Sequence, residues 1–214
     1  MMMAGTLDAG ATKLAEREAL RLRLEAAGGG LDPHGWLTGD EGHDRVDRIT
    51  RLTHAAVLLG LVARPGGAHI ILTQRTAHLR DHAGQISLPG GRIEPDDDGP
   101  GAAALREALE EIGLEPAKVE LLGGLRPYDT ITGFRIHPIV GWIEPPIELT
   151  PDPFEVAEVF EVPLSFALDP LNHCRDSYER NGELRHFYVL PYEERYIWGA
   201  TAGILVNFAR LLVE

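Results

Sequence analysis

Residues 88–114, LPGGRIEPDDDGPGAAALREALEEIGL, constrain what this chain can fold into more than any other stretch. They read as a glycine turn, an acidic loop, a short helix and a glycine stop. Gly99-Pro100-Gly101 can open the helix, because the fixed φ of proline suits a first helical turn. Gly113 ends it in the usual manner of a C-terminal glycine. Placed at steps of about 100° around the axis, Ala102, Leu105, Leu109 and Ile112 fall on one face, with Glu107, Glu110 and Glu111 opposite.

Carboxylates at i, i+3 and i+4 repel one another, each pair costing roughly 0.2–0.5 kcal/mol on a helix. A solvated face would alternate signs, whereas here only Arg106 interrupts the acid. The plain alternative is an acidic surface helix. The functional reading is a site for a hard divalent cation, since Mg²⁺ and Mn²⁺ take carboxylate oxygens and usually bring a phosphate with them. Glu94, Asp96, Asp97 and Asp98 add acid nearby, and Gly90-Gly91 supplies a turn where backbone can approach a ligand closely.

This stretch resembles the signature of the Nudix hydrolases, Gly-x5-Glu-x7-Arg-Glu-U-x-Glu-Glu-x-Gly-U, with U apolar. Residues 106–114 (REALEEIGL) fit its second half. The first half departs. Counting back from Arg106, the signature's glycine falls on Arg92 and its first glutamate on Asp98, so Gly91 stands one residue early and the loop holds an extra residue. Asp97, Asp98 or neither takes the place of the first acid.

Residues 71–91 (ILTQRTAHLRDHAGQISLPGG) are similar to a second pattern, Leu-Leu-Thr-x-Arg-[Ser/Ala]-x3-Arg-x3-Gly-x3-Phe-Pro-Gly-Gly, which marks the coenzyme A pyrophosphatase branch. Thr73, Arg75, Arg80, Gly84, Pro89, Gly90 and Gly91 agree in identity and spacing, and Ile71, Thr76 and Leu88 are conservative departures. The one-residue loop extension is also that branch's habit.

The resemblance implies an α/β fold, the Nudix α/β/α sandwich with a mixed β-sheet, over residues 50–214. Residues 1–49 are then an N-terminal extension, partly helical and partly disordered. It implies a hydrolase using Mg²⁺ or Mn²⁺ that cleaves the diphosphate of coenzyme A or acyl-CoA to 3′-phospho-AMP and 4′-phosphopantetheine. Glu107 and Glu111, one turn apart, are the first metal ligands, and Glu110 follows as a further ligand or general base. Arg106 joins the catalytic group by orienting the carboxylates, while Arg75, Arg80, Gly90 and Gly91 bind substrate. A homodimer is the family's habit. Two alternatives stand beside this reading: a Nudix pyrophosphatase for another nucleoside diphosphate derivative, such as ADP-ribose or a dinucleotide, and a non-catalytic nucleotide-binding module.

Composition narrows the classes. A chain of 214 residues, 44% hydrophobic and 25% charged, suits one globular domain with decoration. A net charge of −13 argues against a nucleic-acid binder and against an anionic membrane surface. An anionic small substrate stays compatible, because a bound metal and local arginines can reverse the field inside one cleft. The single cysteine, Cys174, forms no internal disulfide and fits a reducing cytoplasm; it reads as structural rather than catalytic. No apolar run reaches the roughly 18–20 residues of a membrane span, and the N-terminus does not read as a secretory signal.

Along the chain, residues 1–10 read as disordered and 12–27 as a helix stopped by Gly28-Gly29-Gly30. Residues 31–47 read as a polar connector with Trp36 and Leu37 as anchors. Strands are expected at 53–63, covered on both faces, and at 68–75, 119–126, 134–143 and 156–162. Pro138 points to an edge position or bulge in its strand. His137 reads as a partly buried, hydrogen-bonded histidine. Glu155 and Glu158 read as solvated acids, although some Nudix enzymes borrow such a late glutamate as ligand or base. Residues 163–170 suggest a short helix, Asn181-Gly182 the turn of a hairpin over 177–192, and 197–213 an apolar helix with Trp198 and Phe208 in the core.

Overall fold

A computed structural model of the chain describes residues 4–26, 52–79, 82–180 and 183–213. The connector at 31–47, Arg80 and the Asn181-Gly182 turn lie outside them. Helix α1 (Ala4–Ala26) begins eight residues before the sequence suggested, and residues 4–10 are helical. Ala4, Ala9 and Ala11 offset the poor propensity of Gly5 and Gly10 there.

The main sheet is built around β1 (Thr53–Arg64). It runs antiparallel to β2 (Gly67–Arg75), through a turn with Gly66 at φ +94°, and parallel to β7 (Phe134–Ile143). The free edge of β2 carries β8 (Val156–Pro163). That of β7 carries β5 (Val119–Gly124) and β6 (Tyr128–Asp129). Two short strands, β3 (Ile86–Ser87) and β4 (Gly90–Arg92), pair with β2 and β1. The sheet is mixed, as expected. Alternation along β1 explains its unbroken apolar run: Ala56, Leu58 and Val62 enter one hydrophobic layer, and Leu59, Leu61 and Ala63 the other.

Helix α2 (Gly99–Ile112) covers the first layer. The second is covered by α1, by α3 (Leu164–Leu168) and by α4 (Gly199–Val213), with a three-stranded antiparallel sheet of β9 (Cys174–Arg180), β10 (Glu183–Tyr192) and β11 (Arg195–Trp198). Helices on both faces of a mixed sheet make the expected α/β/α sandwich.

Two expectations change. Pro138 sits in a central strand, not at an edge. Its carbonyl accepts the Leu125 N–H at 2.8 Å, so its nitrogen faces the same side, where β5 has ended and β6 has not begun. The missing N–H therefore breaks no ladder bond. The last helix starts at Gly199 rather than residue 197, because Ile197 and Trp198 pair with β10. Phe208 is fully buried as expected, whereas Trp198 is only half-buried, edge-on to Phe187 at 5.5 Å.

Candidate active site

Helix α2 packs on the sheet through alanines. Ala103, Ala104 and Ala108 are fully buried together with Ile112, which lets the helix backbone come close to the strands. The buried face is consequently rotated from the one marked by the large apolar side chains. Leu109 is 44% exposed and Glu111 only 5%. Methyl-sized side chains give a flatter contact than Leu105 and Leu109, and Glu111 finds partners on the sheet. One of its oxygens accepts the Gly90 N–H at 3.2 Å, and the other stands 3.5 Å from Arg75 Nη1.

Glycine makes this seat. A Cβ on Gly91 would come within 2.5 Å of the Glu107 carboxylate, and one on Gly90 within 2.3 Å of the Ala56 carbonyl oxygen. The helix stop behaves as expected: Gly113, at φ +68°, donates to the Leu109 carbonyl at 2.9 Å.

Arg106 ties the acidic loop to the helix. Its Nε and Nη2 each donate to Asp97 at 3.0 Å, Nη1 donates to Glu107 at 2.9 Å and Glu110 at 3.2 Å, and Nη2 also reaches the Arg92 carbonyl at 3.0 Å. This two-pronged contact holds the Asp97 carboxyl below its usual range. Of the two acids left open at the first signature position, Asp97 is thus engaged with Arg106. Asp98 precedes the helix and makes no side-chain capping bond. Glu110, apart from its contact with Arg106, faces outward.

Residues 150–155 are fastened to the end of α2, where the N–H groups of Thr150 and Asp152 donate to the Ile112 and Glu111 carbonyls at 2.8 and 2.9 Å. This brings Glu155 into electrostatic contact with both Glu107 and Glu111. Glu158 turns away to Arg195 at 2.6 Å. Burial pushes the Glu111 carboxyl up to about 7, against the Gly90 N–H and Arg75; Glu107 and Glu155 push it further. Burial also raises Glu107, against Arg106, with Glu110 and Glu155 adding to the rise.

The loop after β2 folds back on that strand. Arg75 N–H donates to the Gln85 carbonyl at 2.9 Å, and Gly84 adopts φ +69°. The buried Nε of Arg75 has no partner among the described residues. On the same face of the sheet, Gly91, Ala56 and His137 stand in register across three strands. His137 Nε2 lies 3.0 Å from His54 Nδ1, and burial first, then His54 and Arg135, hold its pKa down to about 4.

Residues 52–180 match the NUDIX domain family model. Two relatives are each the uncharacterized Nudix hydrolase NudL of its organism. That of Citrobacter koseri is 46% identical over 158 residues, covering 72% of this chain and 80% of its own. That of Escherichia coli O7:K1 is 44% identical over 156 residues, with the same coverage. The chain belongs to the Nudix hydrolase family. Among solved structures, the Nudix hydrolase RenU of M. smegmatis is similar at 25% identity and a TM-score of 0.46, covering 53% of this chain and 71% of its own.

Two neighbours of these side chains are only weakly legible in the sequence of this Nudix hydrolase. Glu155 reads there as a solvated acid, with a borrowed ligand or base as the alternative, and it stands just before a strand that pairs with β2 beside Arg75. His54 carried no signal, because its contact with His137 exists only once β1 and β7 pair in parallel. Cys174 stands exposed in the three-stranded sheet, and so is not a core residue.

Among the described residues no three His, Cys, Asp or Glu side chains form a ready-made cation cage, and Glu107 is engaged with Arg106. The donor chemistry nevertheless fits a hard divalent ion. Glu107 and Glu111 are one helical turn apart, desolvated, and set against further carboxylates that only added positive charge would relieve.

Proposed function

We propose that this Nudix hydrolase cleaves the diphosphate of coenzyme A or an acyl derivative to 3′-phospho-AMP and 4′-phosphopantetheine, with Glu107 and Glu111 holding Mg²⁺ or Mn²⁺. The observation that carries the reading is the pair of desolvated carboxylates, Glu107 and Glu111, seated on Gly90-Gly91 beside Arg75. A divalent ion bound there neutralises phosphate oxygens and lowers the pKa of an attacking water.

The chain's own residues do the rest. Arg106 keeps Glu107 and Glu110 oriented and balances their charge. Arg75 stands beside Glu111, and with Arg80 it holds the substrate phosphates. The Gly90-Gly91 backbone lies against the reacting group, where no side chain intrudes. Glu110, or Glu155 from the segment fastened to α2, takes the proton from water.

Support for coenzyme A comes from the pattern over residues 71–91. Part of that pattern builds the loop. Gly84 supplies a positive φ, Thr73 Oγ1 pairs with Ser87 Oγ at 3.1 Å, and the Pro89 carbonyl accepts the Leu58 N–H at 2.8 Å. The members left with chemistry for an anion are Arg75 and Arg80.

The test is product identification by mass spectrometry from coenzyme A, ADP-ribose and NADH, each with Mg²⁺, Mn²⁺ or EDTA, in ¹⁸O-labelled water. Metal-dependent release of 4′-phosphopantetheine, fastest among the three substrates, is the expected result. Faster cleavage of ADP-ribose or NADH would replace coenzyme A with another nucleoside diphosphate derivative.

A further inference from the structure

Across the sheet from α2, the end of α1, helix α4 and the chain between β5 and β6 surround a cavity of about 630 Å³. Three arginines line it, Arg23, Arg126 and Arg210. Two are anchored without being neutralised. Arg23 donates to the Leu212 carbonyl, and Arg210 donates to the Tyr188 hydroxyl at 2.6 Å while lying over that ring. Among the described residues none of the three makes an ion pair with a carboxylate, whereas Arg17, Arg64, Arg106 and Arg135 each do.

That grouping runs against the composition. The chain carries 33 acids and 20 basic residues, yet among the described residues no acid lines this cavity. Like charges gathered in one concavity repel, and a bound anion with several oxygens would relieve all three at once. The remaining wall is apolar, from Leu125, Pro138, Ile204 and Leu211, with Asn207 as a further polar group. Concave, largely apolar surface with a few convergent polar groups, in a volume of several hundred Å³, is the usual make-up of a small-molecule site.

We propose that this cavity is a second binding site for a phosphorylated organic molecule. Its phosphates meet Arg23, Arg126 and Arg210, and its apolar or aromatic part lies on Leu125, Pro138 and Ile204. The site is on the opposite face of the sheet from Glu107 and Glu111, so it stands independently of the substrate assigned to them.

Calorimetric titration of the full-length protein with ADP in the presence of EDTA tests this, with adenosine and inorganic phosphate titrated alongside. One ADP per chain is expected, bound more tightly than adenosine or phosphate. Arg126→Ala and Arg210→Ala should each weaken it by roughly tenfold, the scale of one lost charge-assisted contact. Arg75→Ala, beside Glu111, should leave it unchanged. The Arg126 side chain is exposed, so its removal leaves the fold intact. Arg126→Lys should bind more weakly than wild type but better than Arg126→Ala, since charge remains and the planar fork is lost. Absence of ADP binding would overturn the proposal, as would affinity untouched by Arg126→Ala or lost in Arg75→Ala. Inorganic phosphate binding as tightly as ADP would overturn the organic class of ligand.

Discussion

At the scale of single residues, Glu111 carries a carboxyl that folding makes hard to ionise, and His137 an imidazole that folding makes hard to protonate. Glu111 rises from an ordinary 4.5 to about 7. Between those values the folded chain keeps a proton that the unfolded chain has released, so this group lowers stability as pH rises. His137 falls from 6.5 to about 4. Between those values the unfolded chain holds the extra proton, so this group raises stability as pH rises. The two contributions oppose each other over most of one window, each on the order of 1–3 kcal/mol. In EDTA, urea unfolding of Glu111→Gln should gain stability from pH 4.5 to 6.5, and that of His137→Gln should lose it from pH 4.5 to 7. Parallel profiles for the two variants would contradict the assignment. Glu111→Gln should also reduce metal-dependent turnover by roughly two to three orders of magnitude, as loss of one electrostatic group at a reacting centre commonly does. Steady-state rates at saturating Mn²⁺ measure that loss.

At the scale of the element, α2 is oriented by its small residues. The large apolar side chains suggest Leu105 and Leu109 as the packing face, yet contact with the sheet runs through Ala103, Ala104 and Ala108. Substituting Ala108→Leu should overpack the interface and destabilise by about 1–3 kcal/mol. Leu109→Ala, at a side chain 44% exposed, should change stability by no more than about 0.5 kcal/mol. Chemical denaturation of both variants decides between the two faces, and the reverse order of effects would restore the face that the leucines mark. The paired strand β4 gives a second test. Gly91→Ala places a methyl group against the Glu107 carboxylate, so if Glu107 holds the metal as proposed, turnover should fall by at least roughly tenfold. Gly90→Ala meets the fixed Ala56 carbonyl instead and should lower the unfolding midpoint more than Gly91→Ala does.

At the scale of the whole molecule, α1 closes the hydrophobic layer opposite α2. Leu20 and Leu24 are buried in that layer, Arg17 and Arg21 pair with Glu120 of β5, and Arg23 holds the Leu212 carbonyl near the end of α4. Helix α1 is thereby part of the core and not an appendage. Leu24→Ala should cost about 2–5 kcal/mol, the range for a fully buried leucine. Leu22→Ala, on the same helix but 56% exposed, should be nearly silent. Thermal unfolding of the two proteins distinguishes a docked helix from a loose one. Among the described residues no helix is long and apolar enough to cross a membrane, in keeping with the absence of a long apolar run in the sequence.

Some of this was written in local chemistry. Proline and glycine at the two ends of α2, unbroken apolar alternation along β1 and the repulsive run of Glu107, Glu110 and Glu111 each act over a few residues, so the sequence alone located the helix, the central strand and the acidic cluster. Contacts between distant segments could not be read in that way. Which of the three glutamates is buried depends on how closely alanines let α2 approach the sheet. Glu155 reaches the cluster because residues 150–155 satisfy the last carbonyls of α2, more than 40 positions after the helix begins. Pro138 is tolerated in a central strand because two neighbouring strands happen to leave a gap beside it. His54 meets His137 only through parallel pairing, and three unneutralised arginines share a cavity only because α1, α4 and the β5–β6 connection converge. Local periodicity sets the elements; long-range packing sets which side chains share a solvent-poor space, and that proximity is what changes their charge and their chemistry.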